Sequence, residues 1–350
     1  MIVRRPPFIG RLVCPLMPFS LRLLLLFLLS LLLLVTTVWV NLGLWYQLEG
    51  QPLWRASALV AWTLFGLATA VLACRHEWRG VLSYAMGFAL YLGWWTNIQP
   101  QAHAAWADDV ARTLHGQVMQ SQVQLENVRS FDWRSETDYS PQWVSRQYDL
   151  DALQSVDMAL SYWMGPAIAH TLVSFGFSDG RYLTFSIEIR KQKNQSYSAV
   201  AGFFKYYQTS LIAAEESDIL RTRSNARGED VYLYRVQMKP ETMRSLFLAY
   251  VAEANNLAGQ ARFYNTLDAN CTTVVYEMLR RISPGLPMDW RILLSGYLPE
   301  YLYDLQALPS GHDLAELRAA GHISSRAQQA PNGAGFSAAI RVGIPGMATP

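Results

Sequence analysis

Residues 23–44 contain no charged side chain, and no other stretch limits the fold of this chain so severely. A run of that length can cross a bilayer, where every backbone N–H and C=O must find its partner within the segment, so it has to be helical. Residues 56–74 and 80–98 are two further charge-free runs of spanning length. The first run is too long for the apolar core of a signal peptide and no small-residue cleavage site follows it, so a retained helix is expected. Arg4, Arg5, Arg11 and Arg22 precede the first run, and Arg75 and Arg79 separate the second from the third. The loop between the first two carries only Glu49 and Arg55. The excess of basic residues on cytoplasmic loops makes residues 1–22 a cytoplasmic tail, and three crossings then carry everything from residue 99 onward to the outer face. Trp45, Tyr46, Trp54, Trp94 and Trp95 fall where interfacial aromatic anchors belong.

The rest of the chain reads as a connector (99–123), one exported domain (124–310), and a C-terminal helix with a tail (311–350). The tail is rich in Ala, Gly, Pro and Ser from about Ser324 and is expected to be disordered. There are no internal repeats. A formal charge of +2 gives no basic patch and no reason to expect nucleic acid. Cys14 and Cys74 lie on the cytoplasmic side or at its boundary. No apolar run precedes Cys14, which removes it as a lipoprotein attachment site. Cys271 is then alone beyond the membrane, and an unpaired thiol in an oxidising compartment needs a reason.

Residues 166–190 supply one. IAHTLVSFGF and RYLTFSIEIR flank Ser178-Asp179-Gly180, the signature of a β-hairpin. Leu183, Phe185, Ile187 and Ile189 form an odd apolar face on the second strand; Val173, Phe175 and Phe177 do so on the first. A slip of one residue would turn every side chain over, so odd must pair with odd. A three-residue loop with Gly180 at positive φ satisfies that parity. Phe177 then pairs with Arg181, and His170 stands opposite Glu188.

Helical spacing of Leu153, Val156 and Leu160 predicts a helix over 150–163. Residues 198–214 fit helix or strand, 218–222 and 231–238 alternate as strands, and Pro240 opens a helix to Leu257. Glu215, Glu216 and Asp218 read as a solvated acidic loop. Residues 287–308, with Trp290, Tyr297, Tyr301 and Tyr303, are expected to wrap the domain or touch the membrane surface. Val274, Val275, Met278, Leu279 and Ile282 define a helix capped by Asn270, with Cys271 at its first position. The free N–H groups and positive end of a helix favour a thiolate and supply donors for an oxyanion.

Cys271, His170 and Glu188 together offer a nucleophile, a base and a group to orient that base. Against this stand plainer readings. A lone cysteine can be a small buried apolar residue, a strand histidine can satisfy a core hydrogen bond, and a cross-strand His–Glu pair can be surface electrostatics. The histidines at 103, 115, 170, 312 and 322 have no compact ligand spacing, and no phosphate-binding glycine loop or serine nucleophile elbow occurs, so no metal or cofactor is expected.

The segments NVRSFDWR, DLDALQSVDMALSYW, AHTLVSFGFSDG, FSIEIRK, ILRTR and YNTLDANCTT resemble the Lnb N-terminal periplasmic domain, a bacterial family, over about residues 123–310. The resemblance implies an α+β domain of circularly permuted papain-like fold, an antiparallel sheet packed with helices, here preceded by three transmembrane helices. The same fold occurs in lecithin:retinol acyltransferase and in cell-wall peptidases of the NlpC/P60 type. It implies a periplasmic thiol acyltransferase of the inner membrane that moves an acyl chain from phospholipid to a lipoprotein or similar cell-envelope acceptor. Cys271 would carry the acyl-thioester, His170 would act as base then acid, and Glu188 would orient His170. The membrane helices precede the domain instead of following it, which leaves the acceptor open. A papain-like cell-wall amidase or peptidase uses the same triad, and a non-catalytic membrane-tethered binding module remains the non-enzymatic alternative.

Overall fold

The computed structural model describes residues 18–75, 78–101 and 103–347. Most of the expected cytoplasmic tail, with Arg4, Arg5, Arg11 and Cys14, lies outside the described residues, as do the side chains of Arg22 and Cys74. Contacts divide the chain into a helical unit, residues 1–99 with 204–206, and a larger unit, 100–203 with 207–350.

The helical unit holds α1 (Phe19–Gln47), α2 (Pro52–Cys74) and α3 (Trp78–Asn97). Among the described residues two helices are long and apolar enough to cross a membrane, Phe19–Gln47 and Pro52–Ala73, where the sequence predicts three. The third expected span does form a helix. However, α3 begins with Trp78 and Arg79 and is dense in Trp, Tyr and Gly, whose polar handles or missing side chains lower its hydropathy. It packs on α1 through ring edges, Trp39 against Tyr91 at 5.4 Å and against Trp95 at 5.3 Å. The Tyr84 hydroxyl meets Thr36 Oγ1 at 2.8 Å and Thr37 Oγ1 at 2.9 Å, so these three hydroxyls satisfy one another. Residues 204–206 belong here too: Tyr46 stacks on Phe204, and Gln47 Nε2 donates to the carbonyls of Phe204 and Lys205.

The larger unit is mixed α+β. Its strands are β1 (His115–Met119), β2 (Gln122–Arg129), β3 (Asp132–Trp133), β4 (Tyr139–Ser140), β5 (Trp143–Asp149), β6 (Leu153–Tyr162), β7 (Ala169–Phe177), β8 (Tyr182–Arg190), β9 (Gln208–Ala214) and β10 (Asp230–Val236). Eight of them form one sheet in the order β1-β2-β9-β8-β7-β6-β10, with β5 beside β2 and β3 paired with β4 apart. All its pairings are antiparallel except β2 with β9. On one face the odd residues of β7 and β8 meet α5 (Pro240–Gly259) and α6 (Thr273–Ile282), with Phe175, Phe185 and Phe247 at the centre. The other face is covered by α4 (Glu216–Arg221), α9 (Ser324–Gln329) and α10 (Phe336–Arg341), through Ile219, Leu220, Phe336 and Ile340. Two more helices, α7 (Leu298–Asp304) and α8 (Leu314–Gly321), close the end beside β10.

Three expectations fail for one reason. The predicted helix at 150–163 is strand β6, the predicted strand at 218–222 is α4 with the turn after it, and the predicted disordered tail forms α9 and α10. In each, charged or polar side chains that look solvated are buried. Asp157 on β6 is fully enclosed, and Arg341 of α10 reaches it at 2.7 Å while contacting Glu216 of α4 at 2.6 Å. Asp218 takes both arms of Arg129, at 3.0 and 2.9 Å, together with Trp133 Nε1 and the Phe131 amide. The acidic cluster is thus part of an ionic layer beneath the sheet, not a solvated loop; only Glu215 is at the surface, paired with Arg146. Burial of carboxylates at this depth requires such partners.

Candidate active site

The hairpin folds in the register its pattern demands. Leu172 pairs with Ser186, Val173 with Phe185, Phe175 with Leu183, and the Phe177 amide donates to the Arg181 carbonyl. Gly180 carries φ +82°, the left-handed value the three-residue loop needs. Continued to the open end, this register sets His170 against Glu188, and His170 Nε2 lies 3.1 Å from Glu188 Oε1. The start of β7 is pinned by Ser295, whose Oγ accepts from the Ala169 amide and donates to its carbonyl. Gly296 beside it has to be glycine, since a Cβ there would stand 2.0 Å from the Pro166 carbonyl oxygen.

Cys271 arrives from the other direction. It sits in the turn just before α6, two residues short of the first helical position the sequence assigned to it. Asn270 still caps that turn: its Oδ1 accepts from the amides of Thr272 at 2.8 Å and Thr273 at 2.9 Å. Those two N–H groups are therefore spent on the cap and are not donors for an oxyanion, contrary to expectation. The Cys271 amide makes no hydrogen bond among the described residues. The thiol is buried, 9% exposed, at the floor of a cleft of about 350 Å³ whose walls include His170, Glu188, Tyr197, Arg223 and Leu293.

Two members of the site went unread in the sequence. Ser186 bridges the pair, with His170 Nε2 at 2.7 Å and Glu188 Oε1 at 2.8 Å from its Oγ. A carboxylate only accepts, so the single hydroxyl proton of Ser186 goes to Glu188 and its oxygen accepts from His170. That assigns the proton to Nε2 and leaves Nδ1 as the basic nitrogen of the neutral ring. Ser186 lies two residues before Glu188 on the polar face of β8, which is the signal that could have found it. Arg223 had no such signal. It stands on a π-helical turn (Thr222–Ala226) after α4, a local widening that recurs at functional sites. Its Nη2 donates to Glu188 at 3.0 Å and its Nη1 to Glu229 at 3.2 Å.

The electrostatics follow from this order. Burial and the nearby Arg223 both oppose a charge on His170, but Glu188 and Cys271 outweigh them and raise its pKa to about 9. Burial would push the Cys271 thiol up; attraction to His170, a bond to it, the Thr171 amide and the Thr272 hydroxyl bring it below its ordinary value. Burial also works against an ionised Glu188, yet His170 and Arg223 hold its carboxyl well below the usual carboxylate range. These shifts all favour a thiolate–imidazolium pair backed by a carboxylate, an arrangement able to attack an electrophilic carbonyl and to return a proton to the leaving group. Among the described residues no group of three His, Cys, Asp or Glu side chains is arranged to hold a metal ion.

The family model of the Lnb N-terminal periplasmic domain matches residues 139–296, a span that contains Cys271, His170 and Glu188. No curated protein and no solved structure matches the chain. A match to a periplasmic domain together with two apolar helices near the N-terminus fits a membrane-anchored periplasmic protein.

Proposed function

We propose that the chain is a membrane-anchored periplasmic thiol acyltransferase, in which Cys271 accepts an acyl group from a lipid ester and passes it to a lipoprotein or similar cell-envelope acceptor. The observation that carries this reading is the meeting of Cys271, His170 and Glu188 in one cleft, with Ser186 bridging His170 and Glu188 and setting the imidazole tautomer. The order of these residues along the chain and their places, His and Glu on adjacent strands and Cys before a helix, agree with a permuted papain-like site. With two apolar helices instead of three, counting crossings no longer assigns a side to residue 100 onward; the periplasmic assignment rests on the matched family.

In the forward step the Cys271 thiolate attacks the ester carbonyl, an S–C bond forms, and the C–O bond to the lipid breaks as the His170 imidazolium gives its proton to the departing alkoxide. In the return step neutral His170 takes a proton from the acceptor amine as nitrogen displaces the thiolate and an amide forms. The Cys271 amide, which has no partner among the described residues, is a backbone donor left for the oxyanion of either tetrahedral intermediate. The test is to incubate the full chain with phospholipid vesicles, denature it and weigh Cys271. A fatty acyl mass increment that is missing from Cys271→Ala supports the reading. A peptidyl adduct formed with peptidoglycan, and none with lipid, would replace it with the peptidase.

A further inference from the structure

A second, smaller chamber of about 90 Å³ lies behind the cleft and is walled almost wholly by carbon, including Val173, Leu246, Val275, Ile292, Leu298 and Leu302. Its nearest approach to the site is a pair of hydroxyls. Thr171 follows His170 on β7, Thr272 follows Cys271, their Oγ1 atoms are hydrogen-bonded at 3.0 Å, and both line the chamber. Thr272 lines the cleft as well, and its Oγ1 is 3.9 Å from Cys271 Sγ. Cys271 packs in the same apolar cluster as Val173, Leu246 and Val275. The cleft that holds the nucleophile and the apolar void are therefore divided by two rotatable hydroxyls that satisfy each other, with Thr272 bordering both.

We infer that this chamber receives the first methylenes of an aliphatic acyl chain while its carbonyl carbon is bonded to Cys271; the inference rests on the acyl-thioester reading above. A void lined by carbon gives a peptide's amides nothing to bond, and burying them unpaired is costly. An alkyl chain gains with each methylene it buries. The size limits the occupant: apolar cavities of ~150 Å³ hold one benzene ring, so this one takes a short run of methylenes and the remainder of a long chain must leave it. The roof offers a matching path. Residues 286–302 turn Ile292, Leu298 and Leu302 inward, while Met288, Trp290, Leu293 and Leu294 are exposed on the same segment and Leu293 also borders the cleft. An exposed apolar cluster of this kind suits a lipid surface.

The experiment is single-turnover acylation of the full-length protein in detergent by p-nitrophenyl acetate, butyrate, hexanoate and octanoate. Release of p-nitrophenolate and the mass of Cys271 are followed. The rate is expected to rise at least tenfold from acetate to hexanoate and to level off there. In Leu302→Phe and Ile292→Phe, which fill the chamber, the hexanoate-to-acetate ratio should drop at least fivefold. The chain-length series on the unaltered protein stands even if a variant fails to fold. Acylation of Cys271 with a flat chain-length profile would overturn the chamber while leaving the thioester reading intact. Absence of any acyl adduct on Cys271 would sink that reading and the chamber with it.

Discussion

Arg223 Nη2 and Glu188 Oε1 lie 3.0 Å apart, and the same guanidinium holds Glu229 with its other arm. The carboxylate behind His170 is thus itself held from behind, by a cation that is almost fully enclosed. Removing one partner of a buried ionic group leaves the others uncompensated, at a cost of about 3–5 kcal/mol. Arg223→Met should lower the thermal unfolding midpoint by several degrees at neutral pH, and Glu188→Gln in that background should restore part of the loss. A calorimetric double-mutant cycle that returns additive losses would refute the coupling.

His170 and Glu188 should separate in their kinetic effects. Loss of a general base lowers rates by roughly 10²–10⁴-fold, so His170→Ala should reduce acyl-thioester formation on Cys271 by that order. Glu188→Gln keeps an acceptor beside Nε2 but removes its charge, and a smaller fall of ~10-fold to 100-fold is expected within the same range. Intact-mass time courses with a lipid ester measure both; equal rates in all three proteins would exclude the assigned roles.

The thiol should be reactive at unusually low pH. An unperturbed cysteine titrates near ~8.5, whereas attraction to His170 lowers Cys271. Alkylation by iodoacetamide should stay fast well below that pH in the wild-type chain. In His170→Ala, where only the Thr171 amide and the Thr272 hydroxyl still oppose burial, the profile should move upward. A profile unchanged by the substitution would mean that the imidazole does not face the sulfur.

Stability should respond on the alkaline side. Folding raises the His170 pKa from 6.5 to about 9, so the contribution of the charged ring is complete below pH 6.5 and is lost as pH climbs through about 9. Glu188 has the opposite sign, since its lowered pKa gives a contribution present above the ordinary carboxylate range and lost on acidification. Melting curves between pH 7 and pH 10 should fall more steeply for wild type than for His170→Ala.

The ionic layer under the sheet offers a test away from the cleft. Arg341→Met would leave Asp157 and Glu216 enclosed with their shared cation gone. A loss of about 3–5 kcal/mol is expected from denaturant unfolding. A change below ~1 kcal/mol would show that water reaches the layer and pairs its carboxylates.

What could be read in advance follows how each residue spends its polarity. The hairpin announced its own register because Val173, Phe175, Leu183 and Phe185 alternate cleanly with polar neighbours, and parity then carried His170 to Glu188. Strand β6 hid itself. Val156, Met158, Leu160 and Tyr162 do alternate with Ser155, Asp157, Ala159 and Ser161, but Leu153, Val156 and Leu160 fit helical spacing as well, and the buried polar face looks like a solvated one. Arg223 and Arg341 were invisible for a related reason: each answers a carboxylate distant in sequence, and no local pattern encodes that. Cys271 was located to within two residues, the ordinary uncertainty of a helix start. The third expected span is poor in charge without being strongly apolar, because α3 is a helix of rings and glycines.

Asp157 meets its Arg341 partner only across 184 positions of chain. A ribosome or a translocation channel delivers the strand carrying the acid long before the helix carrying the base. Until α10 emerges, Asp157 has only Arg235 of β10 and Glu216 has no cation among the described residues. The ionic layer is thus completed only when α10 reaches β6 and α4. A nascent chain halted before Arg341 should remain protease-sensitive across the very strands that carry His170 and Glu188.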